Sequence, residues 1–186
     1  MGTIGVHEFV SLDGVFEDPR WTAPFGFTDG MGAAIAELTA ASTAILLGRR
    51  TWEMFWPAWS TRTADDDPGA PFFNDTNKYV VSSTLKSVDE WQNSQLLGPY
   101  EADAIRALKE SIDGKVFVSG SGSLVRGMLA DGLVDELHLF VYPVVLGAGT
   151  RLFPDGTPRA DLALTAHETY ENGVTYLTYG PGPERG

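Results

Sequence analysis

The chain is 186 residues long, 43% hydrophobic and 20% charged, with a formal net charge of −12 and no cysteine. That length and balance describe one globular domain with a core large enough to fold alone, not a disordered chain. The charge excludes a broad basic surface for nucleic acid or anionic membrane, and the missing thiols exclude disulfides, zinc–thiolate sites and cysteine nucleophiles.

Ile4–Val10 already reads as a strand, without the basic flank and apolar stretch of a secretory signal. No apolar run reaches the roughly 18–20 residues of a membrane helix, so a cytoplasmic location is the expectation. Asp29–Ala41 is rich in Ala, with Ile35 and Leu38 three apart, and has helical composition. Thr43–Leu47 is a short buried strand punctuated by Gly48, and Arg50–Phe55 begins a helix expected to stop before Pro57. Ala58–Asn77, with Asp65-Asp66-Asp67-Pro68-Gly69 inside it, is expected to be a long loop of the kind that forms lids. Lys78–Ser82 is a third strand and Ala102–Ile112 an amphipathic helix. Val116–Val118 then enters a Gly/Ser turn, and Leu124–Ala130 is helical. Glu136–Val145 reads as a long strand containing Pro143 near its end. Leu162–Tyr170 and Val174–Tyr179 flank Asn172-Gly173, the best hairpin signal in the chain. The tail Pro181–Gly186 is expected to fray beyond a domain of residues 1–180. Alternating strands and helices imply a single α/β domain: a mixed, mainly parallel central sheet flanked by helices, closed by a C-terminal antiparallel hairpin.

Several chemistries are excluded. No phosphate-loop, H-E-x-x-H or G-x-S-x-G sequence occurs, and His7, His138 and His167 lack metal-ligand spacing, so no metal site is expected. The strongest local signal is Leu46-Leu47-Gly48-Arg49-Arg50-Thr51-Trp52-Glu53. Two arginines at the positive end of a helix dipole are unfavourable by about 0.3–1 kcal/mol each unless an anion is near. The free N–H groups of that turn can bind phosphate, with Arg49 and Arg50 adding charge-assisted hydrogen bonds. Two solvated surface arginines are the alternative. Val116–Ser119 likewise feeds Gly120-Ser121-Gly122-Ser123-Leu124, where glycine serves either close approach of a ligand or the turn alone. Asp13, in an Asp-Gly turn, has turn chemistry or a substrate contact open to it. Asp29, after Thr28, reads as a helix N-terminal carboxylate. Trp21, Phe25, Phe27, Met31, Trp52, Trp56 and Trp59 either line a planar pocket or belong to the core.

Gly48-Arg49-Arg50-Thr51-Trp52-Glu53 resembles the motif by which dihydrofolate reductases hold the NADPH phosphates. Val80-Val81-Ser82-Ser83 resembles the strand end that approaches the adenosine 2′-phosphate, and Gly120-Ser121-Gly122 is similar to the glycine turn under the pyrophosphate. Ser11-Leu12-Asp13-Gly14, Asp135-Glu136-Leu137 with Pro143, and Leu146–Phe153 resemble the related reductase domain of bacterial riboflavin synthesis. The matches keep family order from about Ile4 to Tyr179. This resemblance to the dihydrofolate reductase-like superfamily implies an NADPH-dependent reductase acting on a C=N or C=O carbon. The implied substrate is a 5-amino-6-(5-phosphoribosylamino)uracil-type pyrimidine of riboflavin synthesis or a pterin-like ring. It implies cofactor contacts at Val10, Gly14, Gly48, Arg49, Arg50, Thr51, Ser82, Ser83, Gly120, Ser121, Gly122, Ser123 and Leu124. A catalytic Asp13, substrate contacts at Trp21, Phe25 and Phe140, and a homodimer complete the expectation. Four departures accompany it. The acidic residue of the first long helix falls near Met31-Gly32, the pterin-binding threonine is replaced by Phe140, His7 stands for a lysine, and Ser121 for a glycine. A nucleotide-binding protein without catalysis, or a structural homodimer of the same superfamily, is the alternative; NADPH consumption separates these from an enzyme.

Overall fold

Strand β1, Thr3–Ser11, carries buried side chains on both of its faces, which requires a strand covered on both sides. In the computed structural model, which describes residues 1–183, it is the fifth of eight strands in one sheet. The order across the sheet is β4 (Ser94–Gly98), β3 (Asn77–Val81), β2 (Ser42–Gly48), β5 (Lys115–Val118), β1, β6 (Glu136–Tyr142), β8 (Thr175–Pro181) and β7 (Leu162–Thr169). The first six run parallel, β8 pairs antiparallel with β6, and β7 pairs antiparallel with β8. The mixed, mainly parallel sheet with a closing hairpin is thus present as expected. At the hairpin Gly173 has φ +83°, Tyr170 N–H donates to Val174 O at 2.9 Å, and Asn172 Oδ1 accepts from Val174 N–H at 3.2 Å.

Helices cover both faces because neighbouring residues of a central strand serve opposite cores. Ala44 and Leu46 join Ile105 and Leu108 of α4 (Ala102–Ser111) and Leu124, Val125 and Met128 of α5 (Gly122–Ala130). Ile45 and Leu47 join Leu38 of α1 (Asp29–Ala40), Trp52 of α2 (Arg49–Trp59) and Phe73 of α3 (Ala70–Asp75). Each fully buried side chain of this kind stabilises by roughly 1.5–3 kcal/mol. Thr28 Oγ1 caps α1 by accepting from Met31 N–H at 3.2 Å, which leaves Asp29 in the first turn. Among the described residues, no helix is long and apolar enough to cross a membrane.

Three local expectations are corrected by packing. Helix α2 does not stop before Pro57 but runs through it to Trp59. Proline in a helix costs about 3 kcal/mol, yet Trp59 stacks on Phe73 at 4.3 Å and Phe55 meets the same ring at 5.6 Å. Residues 58–77 are an anchored segment, not a lid. Asp66 Oδ2 accepts from Thr63 N–H, Asp67 Oδ1 accepts from Gly69 N–H, and α3 turns Phe72 onto Phe117 at 5.5 Å. A helix of six residues is too short to show a period in sequence. Strand β6 ends at Tyr142, before Pro143, and β4 lacks the alternation that would announce it. Of the expected tail, Pro181 closes β8 and Gly182 N–H donates to Asp161 O at 2.8 Å; residues 184–186 lie outside the described residues.

One buried cation secures the α2–α3 side. Lys78 Nζ donates to the carbonyls of Phe73 (2.8 Å), Asn74 (3.1 Å) and Thr76 (2.8 Å), and lies 4.6 Å from the centroid of the Trp91 ring. Trp91 Nε1 in turn donates to Asn74 Oδ1, and Asn74 Nδ2 to the carbonyls of Trp59 and Arg62. Lys78→Ala is expected to cost about 2–4 kcal/mol, because carbonyls with no water to replace the ammonium are left exposed to an apolar core. Urea denaturation checks this, and an unchanged midpoint would show that other donors satisfy those carbonyls.

Candidate functional site

The site originates in unequal strand lengths. β5 ends at Val118, opposite Val6, whereas β1 continues to Ser11 with only β6 beside it. Ile4 directs its N–H and C=O to the β6 side, onto Asp135, while Thr3 N–H donates to Gly114 O on the β5 side. Strand alternation therefore turns the backbone of Phe9 toward the side that β5 has left. There the structure opens a cleft of 760 Å³, within the roughly 300–1,000 Å³ of small-molecule sites. His7, Glu8 and Phe9 border it from β1, and α2, the start of α5 and the Phe16–Pro19 loop wall it.

Two helix N-termini meet at this cleft. Thr51 N–H donates to Ser121 Oγ at 3.4 Å, and the two hydroxyls lie 3.2 Å apart. Glycine makes the approach possible. A Cβ on Gly48 would overlap the Ser121 side chain, and one on Gly120, at φ +63°, would fall 2.5 Å from Thr51 Oγ1. Neither α2 nor α5 has its own N-cap side chain, and apart from Thr51 N–H, which Ser121 Oγ accepts at 3.4 Å, first-turn N–H groups are left to find acceptors. Arg50 and Arg126 border the same space. Paired dipole ends, open N–H groups and two guanidinium groups make an anion site.

Of the residues singled out by sequence, Arg50, Thr51, Gly120, Ser121, Gly122 and Ser123 line the cleft. Gly122 is packed as well: a Cβ there would lie 2.5 Å from Phe16 Cζ and 2.9 Å from Arg126 Nη1. Arg49 turns away, pairing with Glu53 Oε1 at 2.7 Å and donating to Thr84 Oγ1 at 2.8 Å. Ser82 Oγ lies in that same turn, accepting from the N–H groups of Thr84 and Leu85, and Ser83 is exposed beside it. Val10 and Leu124 are core residues, and Gly14, at φ +83°, belongs to the turn after β1.

The expected substrate contacts are corrected. Phe140 is buried and stacked on Tyr176 at 4.5 Å, while Trp21 and Phe25 pack edge-on against Tyr142 at 5.4 and 5.5 Å; none of the three lines the cleft. Asp13 is held as a brace by three donors. Its Oδ1 accepts from Ser11 Oγ (2.7 Å) and Leu146 N–H (3.1 Å), and its Oδ2 from Gly147 N–H (2.9 Å). The Ser11 hydroxyl first, then the two N–H groups, hold its carboxyl down at about 2.

Sequence reasoning missed Glu8. It shares a β1 face with Val6 and Val10, and only 6% of it is exposed. Its Oε1 accepts from Gly120 N–H at 2.8 Å, whereas Oε2 has no partner among the described residues and is not enclosed. Burial raises the carboxyl to about 8 despite the opposing Gly120 N–H, so it is protonated at neutral pH. A carboxylate residue between Val6 and Val10 on one face of a strand was the available signal. His7, on the opposite face, touches Phe9, Phe117 and Phe140 at 4.9–5.9 Å and leaves both ring nitrogens unpartnered. Burial, then the neighbouring His138, lowers it to about 3, so it is neutral. Trp59, one of the aromatics open to a pocket role, lines the cleft, and Phe16, Met54, Phe55 and Arg126 line it without having been expected there.

The model of the RibD C-terminal domain family matches residues 3–176. The uncharacterized protein YyaP of Bacillus subtilis (strain 168) is 27% identical over 183 residues, covering 91% of this chain and 90% of its own. The solved structure of a candidate riboflavin biosynthesis protein from Shewanella sp. PV-4 is similar at TM-score 0.79 and 19% identity, covering 97% of this chain and 99% of that one. Dihydrofolate reductase from Enterococcus faecalis, complexed with NADP(H), is similar at TM-score 0.65 and 13% identity, covering 97% of each chain. The dihydrofolate reductase-like fold is thereby shown.

Two outcomes are expected from the site's packing. Gly48→Ala should destabilise by about 1–3 kcal/mol, the usual cost of overpacking, and thermal denaturation reads it; no loss would mean that Ser121 yields freely. Folded Glu8 keeps a proton that the unfolded chain releases above its ordinary 4.5, so its contribution is full below pH 4.5 and lost as pH rises through about 8. The stability of Glu8→Gln relative to wild type should therefore improve across that window in chemical denaturation, and a constant difference would show an ordinary carboxylate.

Proposed function

The chain belongs to the RibD C-terminal domain family, and from that membership we propose that it is an NADPH-dependent reductase acting on a C=N or C=O carbon of a small heterocycle. The observation that carries the reading is the meeting of two helix N-termini at Thr51 and Ser121 beside the unpaired edge of β1. A dinucleotide needs an anion site for its pyrophosphate and an open, mostly apolar slot for its ring, and the cleft provides both. The fit also rests on Gly48 and Gly120, where a Cβ would close the approach of the two turns.

Arg50, Thr51 and Gly120–Ser123 would hold the pyrophosphate. Arg49, with Ser82 and Thr84 beside it, would meet a 2′-phosphate. The free backbone edge at Phe9 offers in-plane hydrogen bonds to an amide. When bound, the cofactor supplies the hydride, and the protein supplies position and electrostatics. Met54, Phe55 and Trp59 present apolar surface to a flat ring and exclude water from it. The substrate class that best agrees with the family is a 5-amino-6-(5-phosphoribosylamino)uracil-type pyrimidine or a pterin-like ring. A nucleotide-binding protein without catalysis is the second reading, favoured by buried Met31 near the helix position where dihydrofolate reductases carry an acid.

NADPH oxidation by purified protein, followed by absorbance against riboflavin-pathway pyrimidines, pteridines, folates, quinones and simple carbonyls, tests the reading. Turnover is expected with a heterocycle, whereas tight NADPH binding with no turnover would favour the second reading. The two arginines should differ by calorimetric titration. Arg49→Ala is expected to weaken NADPH by about 1–2 kcal/mol and NADH little, because it removes a charge-assisted contact available only to the 2′-phosphate. Arg50→Ala should weaken both cofactors alike; equal losses for both cofactors in Arg49→Ala would remove the 2′-phosphate assignment.

A further inference from the structure

Three carboxyl groups border the cleft, and the structure gives them different surroundings. Glu17 Oε1 accepts from Thr150 N–H at 2.7 Å, and hydrogen bonding by Thr150 lowers its carboxyl. Asp18 is held by the Arg20 guanidinium, which lowers it in the same way. Both are thus kept as carboxylates, acceptors with no proton to give. Among the described residues Glu8 has one donor, Gly120 N–H on Oε1, and none on Oε2. Asp13, the other acid near the turn, has donors on both oxygens.

Resting on the reductase reading above, we propose that Glu8 is the proton donor of the reduction, its Oε2–H protonating the heteroatom while hydride reaches the carbon. The C=N or C=O π bond opens, a C–H bond forms with the electron pair of the hydride, and an N–H or O–H bond forms with the Glu8 proton. Glu8 is left as a carboxylate whose Oε1 retains the Gly120 N–H, and solvent entering the cleft returns the proton. NADPH is the reductant, so atoms and electrons balance.

The arrangement suits a general acid for three reasons. The carboxyl sits on a central strand, locked by β6 and by the turn at Gly120, so its position is rigid. Burial keeps it protonated at neutral pH, near the working range that makes proton donation effective. The Gly120 N–H strengthens as a partner once the carboxylate forms, which eases the loss of the proton. The charged groups around it are Arg50 from α2, Arg126 from α5, and Glu17 and Asp18 from the loop after β1; His7 adjoins it along the strand, and β6 presents apolar Leu139 in register. None of these charges contributes to the displacement of the Glu8 carboxyl, which has burial and the Gly120 N–H as its causes.

Carbon-13 NMR of the side-chain carboxyls, read as the difference between wild type and Glu8→Gln, tests the donor without any cofactor; a midpoint near 8 is expected. Fluorescence titration should then show NADPH binding to Glu8→Gln within about threefold of wild type, the amide preserving shape. With a substrate from the panel, Glu8→Gln should lower kcat by about 10²–10⁴-fold. Wild-type kcat/KM should fall as pH rises through about 8, and the residual rate of the variant should not. A Glu8 carboxyl titrating near its ordinary 4.5, or a Glu8→Gln enzyme with wild-type kcat and pH profile, would overturn the proposal while leaving the reductase reading intact. Wild-type protein that fails to oxidise NADPH with every substrate of the panel would overturn both.

Discussion

β5 stops opposite Val6, and that early end leaves the backbone of Phe9 in β1 without a strand neighbour on one side, before the turn at Ser11, whose N–H donates to Val15 O. Backbone polar groups cannot stay unpaired inside a protein, so a strand edge left open in the middle of a sheet has to face either water or a ligand. Here it faces the cleft. The chain leaving β5 then turns at Gly120, whose N–H reaches back to Glu8, and Ser121 begins the approach to Thr51. The same interruption thus exposes a strand edge, seats a carboxyl and brings two helix N-termini together.

The opposite wall stays in place because α2 is held from below. Trp59 stacks on Phe73, and α3 is tied to β3 by Lys78, whose ammonium gathers three carbonyls, and to the following segment by Asn74 and Trp91. These contacts make the outer side of the cleft part of the second core. A pocket built on packed helices and strands holds its groups more narrowly than one built on loops.

Charge is distributed to match. The chain is acidic overall, at −12, yet Arg50 and Arg126 stand at the cleft beside two positive helix ends. The nearby carboxylates are kept occupied: Glu17 by Thr150 and Asp18 by Arg20. Local arrangement, not net charge, therefore decides which ligand the cleft can accept. The deeper part is neutral, since burial keeps Glu8 protonated and His7 unprotonated at physiological pH.

Much of this was written in local sequence. Strand and helix order, the Asn172-Gly173 turn and the glycine turns at Gly48 and Gly120 depend on residue type and short spacing, which a linear reading captures. So does the concentration of arginine at a helix start. Other features depended on partners far away in the chain. Asp13 was a turn residue with two roles open to it until Leu146 and Gly147 supplied its donors, and Phe140 looked like a substrate contact until Tyr170 and Tyr176 covered it. Pro57 looked like a helix stop until Phe73 held the next turn. Glu8 was an unremarked carboxylate in a strand until its bond to Gly120, 112 residues away, and its burial gave it a proton to keep. Local chemistry determines which elements form and where turns fall; burial and long-range contact decide which side chains face the cleft and in what charge state, because desolvation exists only once the chain has closed around them.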